Sequence, residues 1–429
     1  MFIEIFVLHL MCITKSHILK NTSAFISVFL LPLIFLGQER FLTHTSKDSV
    51  NGEPRFKGSI GANLKLNGYY DLFGGLQENE TFNVGLIDVF GTDDSQSFHM
   101  DLYQSQIKLE STYIEKGGEH VYAVVEFDFW GGNGHMRLRK AFIESRHWQI
   151  GQNWNNFGDE VLWPNIMEWE GPPSGVWVRS PHIKYINTFK NEAWIYEASL
   201  EAPIIDYIAL PELDLPFEEA YQVTPDLTFA LKKRYGWGHI RLSSILRNIR
   251  YEYENEIDNY IGYGFSLTGI YANARKNNFQ FQFVAGEGIV AYLTSLQGLG
   301  YDGYIADNDK VKPTPAFGGW ASYEYFFTRK FHANAVVGIT RYNFNNIKEF
   351  VVNEQLENQE FVVQGDFFNT HYYGIFNLMY EPFERMTIGL ELDYGVKNIL
   401  LDGYINGDFS DIEKSRDAMR ISFGFMFYL

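Results

Sequence analysis

Glu126 and Asp128 stand on one side of the run Gly131-Gly132-Asn133-Gly134, and Arg137 and Arg139 stand on the other. Two neighbouring carboxylates could form the acid and nucleophile of a glycosidase. Two arginines could hold an anionic solute. If the turn occupies those four residues, antiparallel pairing sets Asp128 opposite Arg137 and Glu126 opposite Arg139. Paired in this way, neither carboxylate is left as a proton donor. The quartet then reads as a wall brace or as a solute contact.

More candidates follow. Arg241 and Arg247 share the polar parity of their stretch. Arg179 and Lys184 have opposite parity, so both point one way only if the strand bulges near Pro181, where a ladder N–H is missing. The stretch 154–175 carries Asp159, Glu160, Glu168 and Glu170 beside Trp154, Trp163 and Trp169, with Pro164, Pro172 and Pro173 to stiffen it. An acidic loop facing a basic wall creates a transverse field that orients dipolar or anionic solutes. The tryptophans either anchor the loop or offer ring faces to sugars. No H-E-x-x-H, Walker A or G-x-S-x-G motif occurs, and the histidines are scattered, so neither a metal nor a cofactor is expected. A lipase whose serine and histidine lie on adjacent strands would leave no local motif and stays as an alternative.

The elements that must hold these residues alternate with period two. Val121, Ala123, Val125, Phe127 and Phe129 oppose Tyr122, Val124, Glu126, Asp128 and Trp130. Later, Met386, Ile388, Leu390, Leu392 and Tyr394 oppose Thr387, Gly389, Glu391 and Asp393. This is strand chemistry. About sixteen such strands fit between residues 57 and 429, with ends uncertain by a few residues. Short and long connections mostly alternate among them, the long ones including 73–95, 154–175, 204–222, 289–315, 345–368 and 398–416. The pattern predicts an all-β fold, a transmembrane antiparallel β-barrel with short periplasmic turns, long external loops and a polar interior. The last stretch places Met419, Ile421, Phe423, Phe425, Phe427 and Leu429 on one face, as a strand paired into a closed sheet would. A soluble sandwich would show similar alternation.

Composition agrees. Aromatic residues make up 17% of the 429 positions, with 37 Phe, 27 Tyr and 9 Trp, as the aromatic girdles of a barrel require. A net charge of −18 argues against nucleic acid as a partner. Lys15 and Lys20 precede the apolar run Ala24–Gly37, which reads as a secretory signal peptide over residues 1–37 with cleavage near Gly37 or Gln38. The single cysteine, Cys12, falls within it. Residues 38–56 read as a short, patternless periplasmic segment.

Glu126-Phe127-Asp128-Phe129 with Gly131, Arg137-Leu138-Arg139-Lys140-Ala141, and Gly151-Gln152-Asn153-Trp154 with Phe157 and Asp159 resemble the DcaP-like family of outer-membrane porins. The resemblance is concentrated in residues 98–190. It implies a sixteen-stranded homotrimer in the outer membrane of a Gram-negative bacterium, favouring small anionic solutes, dicarboxylates among them. The helical periplasmic extension of some members has no room in residues 39–56. Two expectations follow from pairing. With Tyr235–Gly236 as a turn, Arg241 falls opposite Ala230 and Arg247 opposite Thr224, leaving both unpaired to attract anions, while Arg137 and Arg139 brace the wall. Lys184 falls opposite Glu197, and a bulge would set Arg179 opposite Glu201. A sugar channel with a tryptophan track is the alternative, and a plugged adhesive barrel is another. The acidic groups Asp93, Asp94, Glu354, Glu357, Glu360, Asp408, Asp411 and Glu413 would face lipopolysaccharide.

Overall fold

Period-two alternation becomes sixteen strands in a computed structural model that describes residues 40–429 except 75, 77–80, 92–93, 205–217, 220–221, 355–358 and 406–407. The signal segment, Asp93 and Glu357 lie outside the described residues. In chain order the strands are β1 (Phe56–Phe73), β2 (Ser97–Asp101, resuming as Gln106–Ile114), β3 (His120–Asp128), β4 (Arg137–Ser145), β5 (Trp148–Trp154) and β6 (Arg179–Phe189). Then come β7 (Trp194–Glu201), β8 (Asp226–Tyr235), β9 (Gly238–Tyr253), β10 (Glu256–Ala272) and β11 (Asn278–Glu287). The last five are β12 (Pro315–Phe326), β13 (Phe331–Glu354), β14 (Gln359–Phe383), β15 (Met386–Ile405) and β16 (Asp408–Tyr428). All pairings between successive strands are antiparallel, and β16 pairs back onto β1 from Tyr428↔Asn63 to Met419↔Phe73. The sheet closes on itself, which gives the edge strands the partners that lipid cannot supply.

The outward face is apolar. On β10, Ile261, Tyr263, Phe265 and Leu267 are exposed while Gly264, Ser266 and Thr268 are buried. Exposed tyrosines bound the band, Tyr263 with Tyr271 on β10 and Tyr372 with Tyr380 on β14. Each pair is eight residues apart (271 − 263 and 380 − 372). At about 3.3 Å per residue and roughly 40° of tilt, that spacing is about 20 Å of height, close to an apolar band of about 25 Å.

The inward face departs from expectation. It is not polar throughout. Ile245, Val284, Tyr342, Phe367 and Leu401 turn inward and are buried against three segments that fold into the barrel, 81–91, 155–178 and 288–314. Phe90, Phe157, Tyr292, Leu293 and Leu296 carry the apolar contact from the loop side. Each such side chain contributes roughly 1.5–3 kcal/mol, which offsets about 1–2 kcal/mol per residue for ordering loop backbone.

Other boundaries also move. Most of 345–368 and 398–416 is strand, not loop: β13 and β14 pair out to Glu354↔Gln359, and β15 and β16 to Ile405↔Asp408. Beyond the membrane a ribbon can be polar on both faces, so pairing continues after the alternation fades. Residues 40–56 are not patternless either. Arg40–Thr45 lies antiparallel on β1 from Thr45↔Lys57 to Arg40↔Gly61. Ser49–Val50 pairs with Glu53–Pro54 across Asn51-Gly52, both at positive φ, the Asn-Gly signature of a two-residue hairpin.

Candidate functional site

The β3–β4 hairpin carries the first part of the site. Asp128 pairs with Arg137 and Phe127 with Leu138, as expected, but Glu126 pairs with Lys140 and not Arg139. A β-bulge at Arg139 takes up the extra residue. It lets Arg139 and Lys140, adjacent in sequence, both serve the interior. Arg137 grips Asp128 with Nε at 3.0 Å and Nη2 at 2.7 Å. Arg139 donates to Glu126 at 2.9 Å and to Asp128 at 2.9 Å. Both arginines are therefore paired with wall carboxylates.

Across the lumen edge, β6 runs without a bulge near Pro181, so the expected partners change. Lys184 faces Ser199 and Gln149, not Glu197, and is buried on the inward face. Arg179 faces Trp154, not Glu201, and its guanidinium lies 4.9 Å from the Trp154 ring centre. Lys140 lies 5.7 Å from the same ring. Trp169 is flanked similarly, by Arg139 at 4.7 Å and Lys65 at 5.1 Å. Cations over tryptophan faces gain electrostatically from the ring quadrupole. Lys140, Arg179 and Lys184 form no ion pair among the described residues, and the Nη1 of Arg179 has no acceptor.

Loop 155–178 spans the interior and is tied along its length. Asp159 accepts from Lys232 Nζ at 3.2 Å and Thr268 Oγ1 at 2.9 Å, and lies 2.7 Å from His239 Nε2. Burial alone would raise its pKa, but Lys232 and His239 beside it hold the carboxyl well below the usual range. This tie is thus complete at neutral pH and is lost only as pH falls through that low value. At the far end Met167 N–H and Glu168 N–H both donate to Glu391, at 2.7 and 2.6 Å. Glu160 stays exposed, with Asn153 Nδ2 at 3.4 Å. The loop acids divide accordingly, since Asp159 and Glu168 are structural and Glu160 faces open space.

Tryptophan packing explains the loop's course. Trp154, Trp163, Trp177 and Trp320 form a row with ring centres 5.9, 4.7 and 5.6 Å apart. Trp177 and Trp320 are buried, so half the row anchors the loop.

Arg241 and Arg247 overturn the pairing expectation. The turn is Gly236-Trp237, with Tyr235↔Gly238, so Arg241 meets Lys232 instead of Ala230. Its guanidinium reaches Glu197 at 2.8 Å and the carbonyls of Asn156 and Gly158, each at 2.7 Å. Arg247 pairs with Asp226 at 3.1 Å and with Asp302, and donates to Gly288 O at 2.6 Å. Their side chains are 3% and 2% exposed, against 34% for Arg137. They staple two loops to the wall and are not open to solutes.

Lys65, Lys140, Glu391 and Glu197 were not legible as site residues. Lys140 carried a signal, because a lysine on the lipid face costs up to about 2–4 kcal/mol at mid-membrane.

No family model matches the sequence, and no curated protein sequence matches it. Solved structures do. The outer membrane channel DcaP of Acinetobacter baumannii superposes with a TM-score of 0.66 at 16% identity, over 89% of this chain and 100% of its own. The fold is that of an outer-membrane porin. The anion-selective porin from Comamonas acidovorans shares this porin architecture with a TM-score of 0.52 at 9% identity, over 87% of this chain and 99% of its own. Within the porin fold, the β3–β6 wall is where the sequence-nominated cations Arg137, Arg139, Arg179 and Lys184 come together. Arg241 and Arg247 belong to the loop supports.

Proposed function

We propose that this chain is a passive diffusion pore of a Gram-negative outer membrane, with a conduit beside the β3–β6 wall that favours small anionic, dicarboxylate-like solutes. The observation that carries the reading is the pair Lys140 and Arg179. Both press on Trp154 without an ion pair among the described residues, with Lys140 in electrostatic reach of Glu126 and of exposed Glu160. An unpaired cation in a confined aqueous passage concentrates anions, whereas one neutralised by a carboxylate does so weakly. The DcaP-like resemblance adds the expectation of a homotrimer. Stepwise conductance in planar bilayers tests the pore, and three equal steps per insertion test the trimer.

A second reading comes from the apolar core inside the barrel, which would suit a plugged barrel with binding loops. A silent bilayer would select it. A sugar track has less support, because Trp177 and Trp320 are buried.

The proposed orientation sets the long hairpins outside. Asp402 and Asp411 are opposite one another and exposed, with Glu413 exposed nearby. We assign these carboxylates to the lipopolysaccharide side, where divalent cations can bridge them. On intact cells, a maleimide too bulky for the pore is expected to label Ser410→Cys and not Gly117→Cys. The opposite pattern would invert the barrel.

A further inference from the structure

The strands β8 to β13 carry opposite charge at their two ends. At the tip of the β9–β10 hairpin, Glu252, Glu254, Glu256 and Asp258 are exposed. The short turns at the other end carry cations. Lys233 lies near the end of β8, Arg275 and Lys276 fill the β10–β11 turn, and Arg329 and Lys330 fill the β12–β13 turn. The last four are exposed, and none of the five forms an ion pair among the described residues.

Local hydrogen bonds shape these turns and hold them side by side. Asn273 Oδ1 accepts from Arg275 N–H at 2.9 Å. Thr328 Oγ1 accepts from the N–H groups of Lys330 and Phe331, at 3.2 and 3.0 Å. Asn277 Oδ1 in the first turn accepts from Phe326 N–H beside the second, at 2.9 Å. The two cation pairs are therefore about two strand spacings apart, roughly 10 Å.

A row of aromatic side chains lies just inside them on the outward face. Tyr271 pairs with Phe279 and Phe279 with Tyr323, and all three are exposed. Tyr235 and Trp237 stack nearby with ring centres 4.6 Å apart, and Lys233 Nζ lies 4.9 Å from the Tyr235 ring. Such rings settle at the boundary between hydrocarbon and headgroups. Arg275 stands four residues beyond Tyr271 and Arg329 six beyond Tyr323 (275 − 271 and 329 − 323), which is the depth of lipid phosphates. The short turns between β2 and β7 show no such excess. Arg146 pairs with Glu119, Lys116 follows Glu115, and Lys190 is two residues from Glu192.

We infer that the β8–β13 rim is a binding surface for anionic phospholipid: the cation pairs take headgroup phosphates while the aromatic row receives the acyl chains. Arg and Lys donate to phosphate oxygens in charge-assisted hydrogen bonds. A lipid with net negative charge is drawn to such a cluster, whereas a zwitterionic headgroup offsets its phosphate with its own amine. The inference needs only a barrel set in a membrane, and it is independent of conduction. With the long hairpins outside, this rim meets the periplasmic leaflet.

The test mixes the full chain, folded in non-ionic detergent, with equal amounts of phosphatidylglycerol and phosphatidylcholine. Mass spectrometry then measures the lipid retained after washing. Two cations per headgroup should favour phosphatidylglycerol about tenfold at low salt, and the preference should fade near about 1 M salt. Replacing Arg275, Lys276, Arg329 and Lys330 by glutamine should make retention of the two lipids nearly equal. Replacing Lys116 and Lys190 by glutamine should leave the preference intact. Equal retention by the native chain overturns the proposal, and that arm needs no variant to fold. An undiminished preference in the fourfold variant, or an equal loss in the Lys116/Lys190 variant, overturns it as well. So does release of the bound lipid by an equal concentration of inorganic phosphate, which would mark a site for the free anion.

Discussion

Replacing Arg241 and Arg247 together by glutamine is expected to loosen the loops inside the barrel and leave ion preference almost unchanged. Each guanidinium binds a carboxylate and loop carbonyls at once, Arg241 through Glu197, Asn156 and Gly158, and Arg247 through Asp226, Asp302 and Gly288. Removing one partner of a buried ion pair strands the other, at a cost of roughly 3–5 kcal/mol. Glutamine can restore a single hydrogen bond but not the charge. The measurement is the temperature at which the folded barrel loses its compact gel mobility, together with proteolysis within 155–178 and 288–314. A large drop in that temperature with an unmoved reversal potential is the expected pair of results. An unchanged temperature with a reversal potential moved toward cations would restore the selectivity role that cross-strand counting assigns them.

Replacing Lys140 and Arg179 by glutamine is expected to do the reverse. Neither forms an ion pair among the described residues, so the barrel should lose less thermal stability than in the Arg241/Arg247 variant, the loss coming from the attraction between Lys140 and its cross-strand neighbour Glu126. Two positive charges would leave the neighbourhood of Trp154 and Glu160. A unit charge about 4 Å away is worth about 1 kcal/mol in water and more beside a low-dielectric wall. The anion-to-cation permeability ratio should therefore fall several-fold, read as a reversal potential in a salt gradient. Arg137 and Arg139 offer the contrast. Their substitution should lower stability, because Asp128 and Glu126 would remain as neighbouring like charges. Equal reversal potentials for the native chain and the Lys140/Arg179 variant would remove the basis for anion preference at this wall.

Much of the fold was legible from local chemistry. Alternation at Ile261–Leu267 and Met386–Asp393 reports a strand with two unlike faces wherever it occurs, so strand number and outward face followed from residue type alone. The Gly131–Gly134 turn placed Asp128 against Arg137 for the same reason. The rest depended on tertiary structure. Moving a turn by one residue, from Tyr235-Gly236 to Gly236-Trp237, shifts every cross-strand partner by two and preserves the face. Parity therefore shows that Arg241 points inward but not that it meets Lys232 or reaches Glu197. The bulge at Arg139 has no glycine to announce it, yet it decides that Lys140 is a lumen cation. Loop 155–178 shows its acids in the sequence but not their fates. Asp159 is spent on three distant strands and Glu168 on the tip, because the partners that claim them arrive only when the sheet closes.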